Sequence, residues 1–176
     1  MNTCSKVIIA WLAAACWLPA AQALENNLHI SGTLVNEPCS LAPEDVQVEL
    51  DFKSVVSKDL YLNGRTLGRP ITLHLQSCDL SIGRQVSISF SGAESAQLPG
   101  LLQLAEGASA GVAIGLESQQ GTALPLNQTH HMTALTEGDN VLGFLAYLQG
   151  EPEALDEHSI GLGPVAASLN FTLIYE

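Results

Sequence analysis

The 176-residue chain is 47% hydrophobic, 5% aromatic and 14% charged, with six Lys plus Arg against eighteen Asp plus Glu, the make-up of one globular domain rather than of a disordered segment. A net charge of −12 without a basic run is repelled by phosphates and anionic lipid headgroups, which excludes nucleic acid as a partner. No apolar stretch reaches the roughly 18 residues that span a bilayer, so direct membrane insertion is not expected.

The first 23 residues read as a secretory signal peptide. Lys6 closes a short n-region, Val7 to Leu18 forms an apolar stretch of twelve residues, Pro19 breaks it, and Ala21-Gln22-Ala23 supplies an A-x-A cleavage site. A lipoprotein reading, with Ala13-Ala14-Ala15 ahead of Cys16, is the weaker alternative because the apolar run before Cys16 is short and Ala13 is a poor match. Cleavage after Ala23 removes 23 of 176 residues and leaves 153. It takes away both tryptophans (Trp11 and Trp17), Cys4, Cys16 and Lys6, so five basic and eighteen acidic residues remain, net −13.

Leu28, Ile30, Gly32 and Leu34 alternate with His29, Ser31 and Thr33, the pattern of a half-buried strand. After Pro38-Cys39, a second alternation places Val46, Val48, Leu50 and Phe52 on one face. Five more segments follow: Ile71 to Leu75, Val86 to Phe90, Val112 to Leu116, Leu142 to Leu148, and Leu169, Phe171, Leu173, Tyr175. Turn formers such as Asn63-Gly64, Pro99-Gly100 and Gly138-Asp139-Asn140 separate them. Only Ala93 to Gly107 has room for a short helical turn. Two-residue periodicity almost throughout implies an all-β, antiparallel sandwich.

Cys39 and Cys78 are the cysteines left after cleavage. In an exported chain they are most simply a disulfide, since no CxxC or Cys/His spacing points to a metal. A bridge closing a loop of that length is worth roughly 4 kcal/mol on the chain-entropy estimate. The last alternating segment runs to Tyr175-Glu176, so nothing after it is expected to cover its outer edge, and a long apolar edge strand invites pairing with another chain.

The run from Leu28 to Cys39, Ile71 to Asp79, Val86 to Gly92, Gly111 to Leu116, Leu124-Pro125-Leu126 and the terminal Leu169 to Tyr175 together resemble single-domain type 1-like fimbrial (pilin) subunits of the chaperone–usher pathway. The resemblance covers essentially all of the mature chain. It implies an incomplete immunoglobulin-like β-sandwich that lacks its last strand, with domains at 1–23 (signal peptide), 24–36 (N-terminal donor-strand extension) and 37–176 (pilin domain). It further implies a non-enzymatic structural subunit of an adhesive fimbrium that polymerises by donor-strand exchange, each extension filling its neighbour's groove. Leu28, Ile30, Gly32 and Leu34 would then face that groove. Leu169, Phe171, Leu173 and Tyr175 would flank it and, with the Glu176 carboxylate, meet a chaperone first. The implied partners are neighbouring pilin subunits, a periplasmic chaperone and an outer-membrane usher, and the implied location is the cell-surface fimbrium, reached through the periplasm. Against the family pattern, the extension ahead of Leu28 is short, and Phe52 to Pro70 holds four of the five remaining basic residues, Lys53, Lys58, Arg65 and Arg69.

No catalytic motif is present: GxSxG, HExxH, Gly-rich phosphate loops and CxxC are all missing. No cofactor or metal is expected. His130 and His131 are read as a solvated loop, because neighbours on a strand face opposite ways and do not share a metal. Glu151 to His158 is read as an exposed acidic loop, its spacing being no EF-hand. The alternative function is a single-domain fimbrial adhesin or another secreted carbohydrate-binding sandwich. It is disfavoured because the mature chain has no Trp and room for only one domain.

Overall fold

A computed structural model describes residues 36–176. Two antiparallel sheets make up this span. The elements in chain order are β1 (Ser40–Leu41), a 3-10 turn (Pro43–Asp45), α1 (Ser57–Asn63), β2 (Arg69–Cys78), β3 (Gln85–Ser91), β4 (Leu102–Gln103), β5 (Val112–Ser118), β6 (Thr129–Ala134), β7 (Gly138–Gly150), α2 (Pro152–Asp156) and β8 (Asn170–Tyr175). The larger sheet runs β1-β2-β7-β5-β4 and the smaller β6-β3-β8.

Alternation places the core between the sheets. From the larger sheet come Leu73, Leu75, Leu142, Phe144, Leu148, Ile114 and Leu116, and from the smaller Val86, Ile88 and Phe90, all buried. Phe90 and Phe144 meet edge to face with centroids 5.4 Å apart, a favoured aromatic geometry that joins the two layers. Cys39 and Cys78 are disulfide-bonded, 39 residues apart in sequence. Asp79 N–H donates to the Pro38 carbonyl at 2.8 Å, holding the chain beside the bridge.

Several local expectations are corrected. The segment from Val46 to Phe52 is not a strand: Val46 is 69% and Val48 41% exposed, and no backbone–backbone hydrogen bond ties it to another described strand. Its inward side chains are Leu50 and Phe52 alone, so the alternation is present without a neighbour among the described residues to pair with. His130 and His131 lie on a strand, β6, not in a loop. They face opposite ways, His130 Nε2 meeting the Pro125 carbonyl at 2.8 Å and His131 Nδ1 the Ser87 hydroxyl at 3.0 Å. Ala93 to Gly107 holds no helix. The described helices are α1 and α2, the latter inside the acidic stretch expected as loop. α1 ends where Gly64 takes a left-handed φ of 73° and donates to the Leu60 carbonyl, a glycine helix cap.

Two of the basic residues after Phe52 are engaged within the fold. Arg65 Nη2 reaches Glu117 Oε1 at 2.7 Å, and Arg69 donates to the Phe52 carbonyl at 3.1 Å.

Candidate functional site

The smaller sheet ends at β8, which pairs with β3 alone among the described strands. Gln85 and Glu176 exchange both backbone bonds at 3.0 Å. Because an antiparallel ladder alternates, residues 174, 172 and 170 are the ones bonded to Ser87, Ser89 and Ser91. The N–H and C=O groups of Phe171, Leu173 and Tyr175 therefore point to the outer edge.

Burial along the same stretch has a period of two. Val165, Ala167, Leu169, Phe171, Leu173 and Tyr175 are half-buried, while every residue between them is exposed. They form one wall of a cleft of about 1320 Å³ whose other wall is the unpaired segment from Val46 to Phe52. Its floor is the sandwich core itself, including Leu73, Phe90, Ile114, Leu116 and Phe144. An apolar trough between two backbone edges, each short of a hydrogen-bonding neighbour among the described residues, has the shape and chemistry of a strand-accepting position.

Among the described residues, the charged ones that line it are Glu37, Glu49 and Asp51. Burial pushes the Tyr175 phenol above its ordinary value, and the Glu37 carboxylate adds to the shift.

The cleft thus brings Leu169, Phe171, Leu173 and Tyr175 together on one wall, with Leu169 just ahead of β8. The main-chain oxygen of Glu176 accepts from the N–H groups of Arg84 at 2.8 Å and Gln85 at 3.0 Å. Leu28, Ile30, Gly32 and Leu34 lie outside the described residues. The sequence reading missed Val165 and Ala167, although their spacing continues the pattern of Leu169 to Tyr175. No group of three His, Cys, Asp or Glu side chains among the described residues is arranged to hold a metal, and no helix among them is long and apolar enough to cross a membrane.

The fimbrial protein family model matches residues 28–176. The chain belongs to the fimbrial protein family. Among curated fimbrial relatives, it is 34% identical over 156 residues to the uncharacterized fimbrial-like protein YfcP of Escherichia coli K12, covering 87% of this chain and 85% of that protein. It is 31% identical over 167 residues to the fimbrial adapter PapK of Escherichia coli, covering 90% and 92%. Among solved fimbrial structures, the P pilus rod subunit PapA superposes with a TM-score of 0.66 at 21% identity, covering 79% of this chain and 99% of that one. A subunit from the structure of a chaperone–usher pilus reaches 0.68 at 22% identity, covering 90% and 98%. These likenesses match the two-sheet arrangement to the incomplete immunoglobulin-like fold of chaperone–usher pilins. As a member of a family of fibre subunits, the chain is a structural protein and not an enzyme.

Proposed function

We propose that this fimbrial subunit polymerises by donor-strand exchange, its cleft receiving an extended N-terminal segment from the next subunit. The observation that carries the reading is the apolar trough bounded by the groove-facing backbone of Phe171, Leu173 and Tyr175 and by the unpaired segment from Val46 to Phe52. Strand addition of the kind pilins are known for would satisfy both edges at once and cover Phe90, Phe144 and Ile114.

The donor that this chain offers in turn is residues 24–36, with Leu28, Ile30 and Leu34 entering a neighbouring subunit's trough and Gly32 passing its shallow part. Three buried aliphatic side chains contribute roughly 1.5–3 kcal/mol each before ordering costs. Before assembly, Leu169, Phe171, Leu173, Tyr175 and Glu176 would contact a periplasmic chaperone, and an outer-membrane usher would pass the subunit to the cell surface.

The test deletes residues 24–36 from the exported chain and, separately, appends a copy of them after Glu176 through a Gly/Ser linker. Deletion should abolish polymerisation, and the appended copy should give a monomer that unfolds far more slowly. Polymers that form unchanged after the deletion would overturn the proposal.

A further inference from the structure

The described charged side chains along the groove are all of one sign. Glu37, Glu49 and Asp51 line it, and no Lys, Arg or His appears among its described lining residues. On the Val46-to-Phe52 wall, Leu50 and Phe52 turn inward while Glu49 and Asp51 are exposed, so these two carboxylates stand on the rim beside which an incoming strand would run. Lys53 comes within 3.9 Å of Asp51, with the two side chains 70% and 76% exposed, a contact that solvent reduces to little. The guanidinium of Arg69 is engaged with the Phe52 carbonyl at 3.1 Å. On the opposite wall the outward residues are Ala166, Ser168, Asn170 and Thr172, and none of them offsets the acidic rim.

Side chains adjacent on one face of a sheet favour opposite charges and disfavour like ones. A strand lying in this groove presents its outward residues to Glu49 and Asp51. The chain's own segment 24–36 carries Glu25 and no Lys or Arg, and its outward residues opposite Leu28 to Leu34 are His29, Ser31 and Thr33. It answers the apolar floor but not the rim.

We infer that the groove is built for an extended segment of a different chain, apolar at alternate positions with Lys or Arg at the outward positions between them, and that the chain's own segment is the weaker donor. The inference rests on the strand-accepting reading above and adds to it the charge of the partner. A subunit with such a groove stands next to a different subunit rather than in a long run of its own copies.

The test offers the full chain two labelled peptides, residues 24–36 as they stand and the same segment with Ser31→Lys and Thr33→Lys, at about pH 8, well above the roughly 6.5 of an ordinary imidazole, so that His29 is neutral. At low salt the lysine peptide should be captured roughly three- to tenfold more tightly, the return of two rim pairs. The preference should vanish at about 1 M salt, where the Debye length falls to roughly 3 Å, and in the Glu49→Gln/Asp51→Asn chain. Equal capture, or preference for the native peptide, overturns the inference and leaves the groove as a strand acceptor. Failure to capture either peptide overturns the strand-accepting reading and this inference with it.

Discussion

Tyr147 of β7 lies so flat against Gly115, its register partner on β5, that a Cβ on the glycine would stand 2.2 Å from the tyrosine Cζ. The guanidinium of Arg65 covers the ring, 3.6 Å from its centroid, and completes an ion pair with Glu117, whose side chain is 10% exposed. The outer face of the larger sheet is thereby sealed by an aromatic ring, a cation and a nearly buried carboxylate. Stacked cation–π contact and a charge-assisted hydrogen bond reinforce one another here, and the pairing with Glu117 raises the Arg65 pKa further above its already high value.

Gly115→Ala must displace the ring and should lower the unfolding free energy by about 1–3 kcal/mol, as overpacked sites do. Arg65→Ala should cost a similar amount, about 1–3 kcal/mol, because it strands the Glu117 carboxylate without its donor. Urea midpoints at neutral pH measure both. Adding Glu117→Gln to Arg65→Ala should recover part of the loss, since a neutral amide is cheaper to leave unpaired than a carboxylate. An unchanged midpoint in Arg65→Ala would show that the cluster contributes nothing to stability.

The Cys39–Cys78 bridge joins the residue just ahead of β1 to the end of β2, and both cysteines are buried, 3% and 2% exposed. The Cys39→Ser/Cys78→Ser chain should be less stable by roughly 2–5 kcal/mol, the usual cost of removing a native bridge from a small exported domain. Comparing its urea midpoint with that of the oxidised parent checks this. Because β1 and the turn after it lead into the Val46-to-Phe52 wall, the same variant should also take up donor peptide more weakly.

Five strands were legible in the sequence for one physical reason. In β2, β3, β5, β7 and β8 a run of apolar side chains at alternate positions packs against the core, half-buried in β8, and that pattern survives in the residue order. β6 escaped notice because Thr129 to Ala134 buries little beyond a half-exposed Met132. The short helices α1 and α2 each bury a single residue, Leu60 and Ala154, too few to write a helical period. Val46 to Phe52 carries the alternation without being a strand, because alternation reports which way side chains point and not which described backbone lies beside them to bond. For the same reason the cleft was visible only as an uncovered C-terminal strand. Its second wall depends on which strands pair, which is not a local property. The Arg65–Glu117 contact spans 52 residues of sequence and left no local signal.

Two phenols supply a pH signature. Burial pushes Tyr147 above its ordinary value of 10.0, with Arg65 working against the shift and Glu117 adding to it. Tyr175 is raised by burial and then by Glu37. A phenol whose folded pKa is raised holds its proton longer in the folded chain than in the unfolded one. Its contribution to stability is complete below about pH 10 and is lost as the pH climbs from the unfolded value through the folded one. An ultraviolet titration should show two phenols ionising late, and Tyr175→Phe should remove one of them. Filling the groove with donor peptide should delay Tyr175 further by deepening its burial. A Tyr175 step that does not move with peptide would place the phenol outside the bound strand's footprint.

Adjacent residues on β8 separate the proposed strand acceptance from folding. Thr172 is register partner to Ser89 in a pair that bonds across to β3, whereas Leu173, opposite Ile88, turns its N–H toward the groove. Proline lacks that N–H and is tolerated in a sheet where the missing donor faced outward. Leu173→Pro should therefore leave the β3–β8 ladder intact, with only the loss from removing a half-buried leucine. Donor-strand binding should fall sharply, because the groove edge loses a hydrogen-bond donor at its centre. Thr172→Pro cuts the ladder itself and should lower the urea midpoint well below that of Leu173→Pro. Urea midpoints and donor-peptide capture, measured on both variants, distinguish the two effects. If Leu173→Pro binds peptide as well as the parent does, the outer edge of β8 is not where the incoming strand pairs.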